Sequence, residues 1–376
     1  MTKDIAVIGG STAGFYTAYL LARKGCKVRV YEAEEDIQTS PRALIVTSYM
    51  LDLMGSLCES AVINKISRFE LLTNGRVATI SLQRPDLVVD RSKLIRCLAA
   101  KAEANGVEVL TGRRFLALRP NGKELAFTIS RNGQRESVEE SANILVGADG
   151  AFSKVAKDAG WPKQSTVRLF QAVVELPKDM PSDKARVWFI PEDTPYFYWL
   201  IPHSSTQGVF GLIGEEDRGG RRSLERFLEG KGLVPIEFQS ARIPLHSRWN
   251  PYHLKIGEGD VYLVGDAAGH VKVSTVGGLV TGFRGAQCVA EAILNGGSRR
   301  ELWELRWELG CHMLIRKTLN RFTQDDYTRL LGLLNPSAQR SLGVSTRDET
   351  SKLLLHVFLR QPRLLFLGLR ALLAGK

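Results

Sequence analysis

Apolar positions along the chain change their period several times, and each change predicts an element. Residues 4–8 are an apolar run that two glycines end; residues 11–25 then take an amphipathic helical pattern that Gly25 closes. Residues 26–35 return to alternation, so the start reads as strand, helix, strand. Residues 88–112 read as a short strand, an amphipathic helix stopped by Gly106, and another strand. From 114 to 150 the pattern alternates in twos, with Asn-Gly turns at 121–122 and 132–133, an antiparallel meander that ends on the apolar strand of 142–150. Between 166 and 254 longer β-like runs broken by prolines predict a second, mostly antiparallel sheet. Parallel-sheet grammar returns at 259–269, followed by a glycine-rich turn and a helix at 282–294. From 299 onward the chain is helical and rich in Leu and Arg.

Composition narrows the class. A chain of 376 residues suits two or three domains, and 44% hydrophobic with 24% charged residues is globular. Lys and Arg total 51 against 40 for Asp and Glu, a formal charge of +11. That suits a basic soluble surface, an anionic cofactor or an acidic membrane face. No aromatic RNP motif or finger spacing is present, so nucleic acid is set aside as a partner. Cys26, Cys58, Cys97, Cys288 and Cys311 are scattered and never C-x-x-C, which predicts a reducing compartment and no disulfide framework. The six histidines form no close ligand pair, so no metal is expected. The N-terminus runs straight into a strand, which predicts a cytoplasmic protein.

Candidate chemistry begins at the first turn, Gly9-Gly10-Ser11-Thr12-Ala13-Gly14. It follows the G-x-G-x-x-G dinucleotide pattern except that Ser11 replaces the middle glycine, which normally lets the backbone approach a pyrophosphate. Gly9 and Gly10 keep the turn tight, the Ser11 hydroxyl can donate to a phosphate oxygen, and Gly14 permits close helix–strand packing. Glu32 closes the second strand, 18 residues beyond Gly14, where a carboxylate can accept from both ribose hydroxyls.

Three separated stretches then set the family resemblance. They are the turn at 9–14, Val-Gly-Ala-Asp-Gly at 146–150, and Val-Gly-Asp-Ala-Ala-Gly opening at 264. With a β-rich insert between them, this order resembles FAD enzymes related to the aromatic hydroxylases. Residues 264–293 closely resemble the geranylgeranyl reductase family, with its G-D-A-A-G, glycine-rich turn and helix. The resemblance implies an α/β and α+β chain. A Rossmann-like FAD-binding domain would be built from 1–60, 91–165 and 255–298. An antiparallel β-sheet substrate domain would come from 61–90 and 166–254, and a C-terminal helical region from 299–376. By the same resemblance Gly9, Ser11, Ala13 and Gly14 lie beside the pyrophosphate, and Glu32 takes the adenosine ribose. Arg42 and Ala43 lie in a loop along the flavin. Arg91 matches the arginine of the family's R-x-x-F-D motif, whose Phe-Asp half is Leu94 and Ile95 here. Phe115 meets the adenine through a backbone group, and Asp266, Gly278 and Leu279 serve the flavin.

Residues 194–214 resemble the family's Tyr-x-Trp-x-Phe-Pro stretch with its later Gly-x-Gly. Trp199 and Pro202 match; Phe197, Ile201 and Ile213 depart from it. An aromatic strand there makes Phe197 and Trp199 substrate-binding candidates for a flat or isoprenoid molecule. The tail at 351–376 is leucine-rich but too charged to span a membrane; it packs on the substrate domain or meets a membrane surface. The resemblance thus implies an FAD-dependent oxidoreductase that reduces isoprenoid double bonds by hydride transfer. Its electrons come from NADPH, NADH or a protein donor, and its proton donor is unnamed. The alternatives are a monooxygenase acting on an aromatic or quinone-like compound, and a non-turnover flavin-containing carrier of a prenyl lipid.

Overall fold

The computed structural model describes residues 3–37, 42–121, 124–131, 137–214, 219–247, 251–296 and 299–373. Both Asn-Gly turns expected in the meander extend outside these residues. The chain is a mixed α/β fold around three sheets.

The first sheet has six strands in the order β16 (His253–Ile256), β17 (Gly259–Leu263), β10 (Ile144–Gly147), β1 (Asp4–Ile8), β2 (Lys27–Tyr31) and β6 (Glu108–Leu110). All neighbours run parallel except β16 and β17. Ile5 to Ile8 are all buried, as a parallel strand covered on both faces requires. One face carries α1 (Thr12–Ala22), α3 (Arg91–Glu103) and α6 (Leu279–Asn295). The other meets the antiparallel sheet β7 (Arg113–Asn121), β8 (Glu124–Arg131) and β9 (Ser137–Ala142).

The 11–25 pattern read as an amphipathic helix, yet α1 is buried on nearly every side, Ala13 to Ala18 and Leu21 included. It is wedged between the parallel sheet, α3 and α6, so it shows no solvent face. Phe283 of α6, wholly buried, meets Tyr16 of α1 edge-on at 5.1 Å. In α3 the Asp90 carboxylate caps the first turn, accepting from Ser92 N at 2.9 Å and Lys93 N at 3.1 Å.

The large sheet runs β15 (Pro235–Pro244), β11 (Thr166–Glu175), β14 (Gln207–Gly214), β13 (Tyr198–Pro202), β12 (Lys184–Trp188), β4 (Val62–Thr73), β5 (Arg76–Asp90) and β3 (Ala43–Val46). It is antiparallel except where β12 runs parallel to β4. The short strand read at 88–90 is the end of the 15-residue β5. Ala43, expected in a loop, begins β3 and pairs with Asp90. One face of the sheet looks toward the parallel domain, and the other is covered by α5 (Gly220–Gly230).

The chain ends in α7 (Arg299–Leu319), α8 (Gln324–Leu333), α9 (Pro336–Val344), α10 (Thr350–Arg360) and α11 (Arg363–Leu373). Leu302, Leu305 and Leu309 of α7 pack against Cys288 of α6, and α8 and α9 lie on β4 and β5. The last two helices pack on α7, α8 and α9 through Val357, Leu364, Leu367 and Ala371. Their outer faces leave Leu355, Leu359, Phe366, Leu369 and Leu373 exposed. Among the described residues no helix is long and apolar enough to cross a membrane.

Candidate functional site

The first turn is as tight as its sequence suggests. Gly9 holds φ at +105°, and a Cβ there would lie 2.5 Å from the Ala148 carbonyl oxygen. A Cβ on Gly14 would lie 2.3 Å from the Gly9 oxygen, so α1 can start here only without a side chain. Ser11 is the N-cap of α1: its Oγ accepts from Gly14 N at 3.1 Å, which leaves the hydroxyl hydrogen to donate. The residue that breaks the glycine pattern therefore strengthens the helix start. Glu32, just past β2, accepts from Gly10 N at 2.6 Å and from Glu34 N at 2.9 Å. Its carboxylate thus braces the turn and still has lone pairs facing the cavity.

Farther along, Arg42, Arg91 and Asp266 form a charged centre at the junction of the two large sheets. Arg91 N donates to Arg42 O at 3.0 Å, tying the start of α3 to the start of β3. Burial pushes the Arg42 guanidinium down to about 10; Arg91 adds to the effect and Asp266 opposes it. Arg91 is lowered by burial too, against the pull of Asp266 and Glu32. Burial raises the Asp266 carboxyl, and the two arginines hold it down in part. Both cations thus lean on Asp266, Arg91 with Glu32 as a second carboxylate, and Arg42 Nε is buried without a hydrogen-bond partner. Gly278 adjoins this centre, since a Cβ on it would stand 3.3 Å from Asp266 Oδ1. It precedes α6 without a side-chain cap, so the first amides of that helix are free to meet an anion or an electron-rich ring.

These groups line one cavity of about 1000 Å³, at the upper end of the range for small-molecule sites. Gly9, Ser11, Ala13, Glu32, Arg42, Ala43, Arg91, Phe115, Asp266, Gly278 and Leu279 all border it, together with Phe197 and Trp199. Gly14 does not; it lies behind the turn, inside the helix–strand contact. Phe115 sits on β7 and is buried against Phe127.

The other half of the cavity is apolar. Phe197, Trp199 and Ile201 share the inward face, while Tyr198 and Leu200 point to the opposite core, the alternation a strand imposes. The Trp199 ring lies over Gly211, where a Cβ would come within 2.5 Å, and Phe197 meets it edge-on at 6.1 Å. Sequence reasoning missed the roof: Ile315 and Leu319 of α7, Leu342 of α9 and Leu353 of α10 all line this half. The i, i+4 spacing of Ile315 and Leu319 marks a shared face, but no local pattern says what that face covers. Also missed were Arg113, Arg114, Lys154 and Asp149 at the polar end. Asp149 lay in the quoted Val-Gly-Ala-Asp-Gly anchor; it accepts from Ser153 Oγ at 2.5 Å and Lys154 N at 2.7 Å, opening α4 (Lys154–Asp158).

Known proteins resemble this chain throughout its length. The model of a family described as FAD binding domain matches residues 2–295. A digeranylgeranylglycerophospholipid reductase of Methanothrix thermoacetophila is 26% identical, over 88% of this chain and 91% of its own. A chloroplastic geranylgeranyl diphosphate reductase of Oryza sativa is 27% identical, over 78% and 67%. The structure of a geranylgeranyl bacteriochlorophyll reductase-like protein from Thermoplasma acidophilum superposes with a TM-score of 0.78 at 19% identity, covering 96% of this chain and 97% of that one. A p-nitrophenol 4-monooxygenase from Pseudomonas putida gives 0.66 at 18%, covering 99% and 98%. At such identities the two structures speak for the fold alone.

The residues present fit FAD. The orphaned Nε of Arg42, a half-buried cation that Asp266 compensates only in part, suits an anion, and the Gly9 turn packs this closely on the Ala148 backbone only because it lacks a Cβ. Asp266→Ala and Gly14→Ala are each expected to purify with less FAD than wild type. Saturating FAD, at a hundredfold excess over Kd, should stabilise the wild type by about 2.7 kcal/mol in thermal unfolding, and the variants by less at the same concentration. Equal FAD content in all three proteins would contradict this assignment.

Proposed function

The chain belongs to the FAD binding domain family and is an FAD-dependent oxidoreductase, and from that premise we propose that it reduces carbon–carbon double bonds of an isoprenoid substrate. The observation that carries this reading is the continuity of one cavity from the dinucleotide turn to a long apolar half walled by Phe197 and Trp199 and roofed by α7, α9 and α10. The names of the geranylgeranyl reductase relatives support the same substrate class. In the proposal Gly9, Ser11 and Ala13 receive the pyrophosphate, Glu32 the adenosine ribose, and the Phe115 backbone the adenine. Arg42, Ala43, Arg91, Asp266, Gly278 and Leu279 receive the flavin. The sheet segments at 61–90 and 166–254 serve as the substrate domain, and the segments at 1–60, 91–165 and 255–298 as the FAD-binding domain.

Bound there, reduced FAD supplies the hydride, and a proton completes the saturation of each bond. The protein's own part is placement. Trp199 and Phe197 hold the alkene chain flat against the cofactor side of the cavity, and the helical roof keeps water away from it. The electrons for a group held there would come from NADPH, NADH or a protein donor.

We also infer that the outer face of α10 and α11 rests on anionic lipid. Leu359 and Phe366 are 72% and 68% exposed, beside the exposed Arg360 and Arg363, on a chain of net charge +11. Each basic residue near such a surface contributes about 1 kcal/mol. Full-length wild type should sediment with phosphatidylserine vesicles and the Leu359→Ser, Phe366→Ser double variant should not; equal sedimentation by both would refute the contact.

The reaction itself is tested with dithionite-reduced enzyme under argon and geranylgeranyl diphosphate or a geranylgeranylated glycerophospholipid. The product should gain two hydrogens per reduced bond, with flavin reoxidation tied to product. A product that gains one oxygen atom, and only in air, would make the enzyme a monooxygenase. Bound lipid without turnover would make it a carrier. Trp199→Ala should weaken substrate binding by about 1–3 kcal/mol, read as a raised KM, with FAD content unchanged.

A further inference from the structure

The turn that precedes α6 is gripped from the far end of the chain. The Lys272 ammonium, 7% exposed, meets the Asp348 carboxylate at 2.7 Å, and the Asp348 side chain is wholly buried. The second Asp348 oxygen accepts from the Thr47 hydroxyl, and Arg284 of α6 donates to the Asp348 carbonyl at 3.1 Å. Two residues on, Ser274 Oγ lies 2.6 Å from His312 Nδ1, while His312 Nε2 lies 2.7 Å from Thr350 Oγ1. The grips reach across 76 and 38 residues of sequence.

Next to them the backbone is strained. Val276 has φ +55°, left-handed backbone that a β-branched residue rarely adopts, and it alone does so among the described non-glycine residues. The shape is closed by Val276 N donating to Lys272 O at 2.7 Å and Lys272 N donating to Gly277 O at 3.0 Å. Such strain persists only where the surroundings over-determine it. Ser274 to Gly278 all border the cavity, so the strained surface is the one presented to a ligand.

We propose that Asp348 is a positioning residue: through Lys272, with His312 as a second grip, it latches the 272–278 turn in the strained shape that faces the flavin. The proposal rests on FAD occupying the cavity as argued above. Space filling does not account for the pair, because well-packed apolar side chains would fill the same volume without the desolvation cost of two charges. The pair also joins the turn to the segment between α9 and α10, two helices that roof the apolar half. One support therefore carries both the cofactor-facing turn and part of the substrate wall.

Hydrogen exchange of the full-length apoprotein, followed by FAD titration, tests this. The variants are D348N; the double variant K272M/D348L, which removes the tie without leaving a buried charge; and R370A, which breaks the Arg370–Asp326 pair between α11 and α8, away from the turn. In D348N and in the double variant, amides at 273–277 should exchange about tenfold faster than in wild type, and the FAD Kd should rise about tenfold. R370A should change neither. If D348N does not fold, the double variant decides. Unchanged exchange at 273–277 overturns the latch, as does an equal increase in R370A, which would mean general loosening of the tail. Faster exchange with an unchanged Kd overturns its role toward FAD. A wild type that binds no FAD, while the double variant still frees 273–277, refutes the cofactor reading and leaves the latch supported.

Discussion

Two half-buried arginines that lean on the Asp266 carboxylate set the terms for the rest of this molecule. Arg42, Arg91 and Asp266 come from three distant parts of the chain and meet where the parallel sheet adjoins the large antiparallel one. Burying a cation without a full partner is costly, so an anion beside this centre would stabilise it. The topology serves that demand. β3 leaves the dinucleotide segment to join the edge of the large sheet, the Arg91 amide bonds back to Arg42, and Asp266 follows β17. The same crossing opens the cavity between the two sheets.

Around that centre the site is built largely from backbone. α1 and α6 both start at its rim, one behind a glycine cradle capped by Ser11 and the other behind Gly278 with no cap. Their free amides extend the positive potential of the arginines along the polar half. The apolar half has the opposite construction: side chains from alternate positions of β13 form a wall, and the C-terminal helices close it. A charged, water-tolerant end and a dry end share one space, the combination that the proposed cofactor and isoprenoid substrate would need.

Much of the polar half was legible because its signals are local. The 9–14 turn, Glu32 after β2 and the Gly-Asp-Ala-Ala-Gly stretch each carry their meaning within a few residues, and reading 196–202 as a strand puts Phe197 and Trp199 on one face. What was not legible depends on distant packing. The α1 pattern looked amphipathic, but α3 and α6 cover its polar side. Ala43 looked like a loop residue until β5 paired with it. Ile315, Leu319, Leu342 and Leu353 could not be assigned to a roof, because a helical stripe states that it is buried and not against what. The Lys272–Asp348 pair is invisible for the same reason: the glycine-rich turn that opens at Lys272 has a local signature, but nothing local marks Asp348 as its partner, and only the fold brings them to 2.7 Å.

The claim that an anionic cofactor completes the Arg42 centre is tested most directly by comparing wild type and Arg42→Met, each stripped of FAD and then titrated with it. Removing a poorly compensated, half-buried cation should raise the melting temperature of the apoprotein by about 1–2 °C, for about 1 kcal/mol gained, while FAD binding weakens about tenfold or more. An apoprotein that melts lower than wild type and binds FAD with unchanged affinity would contradict the account.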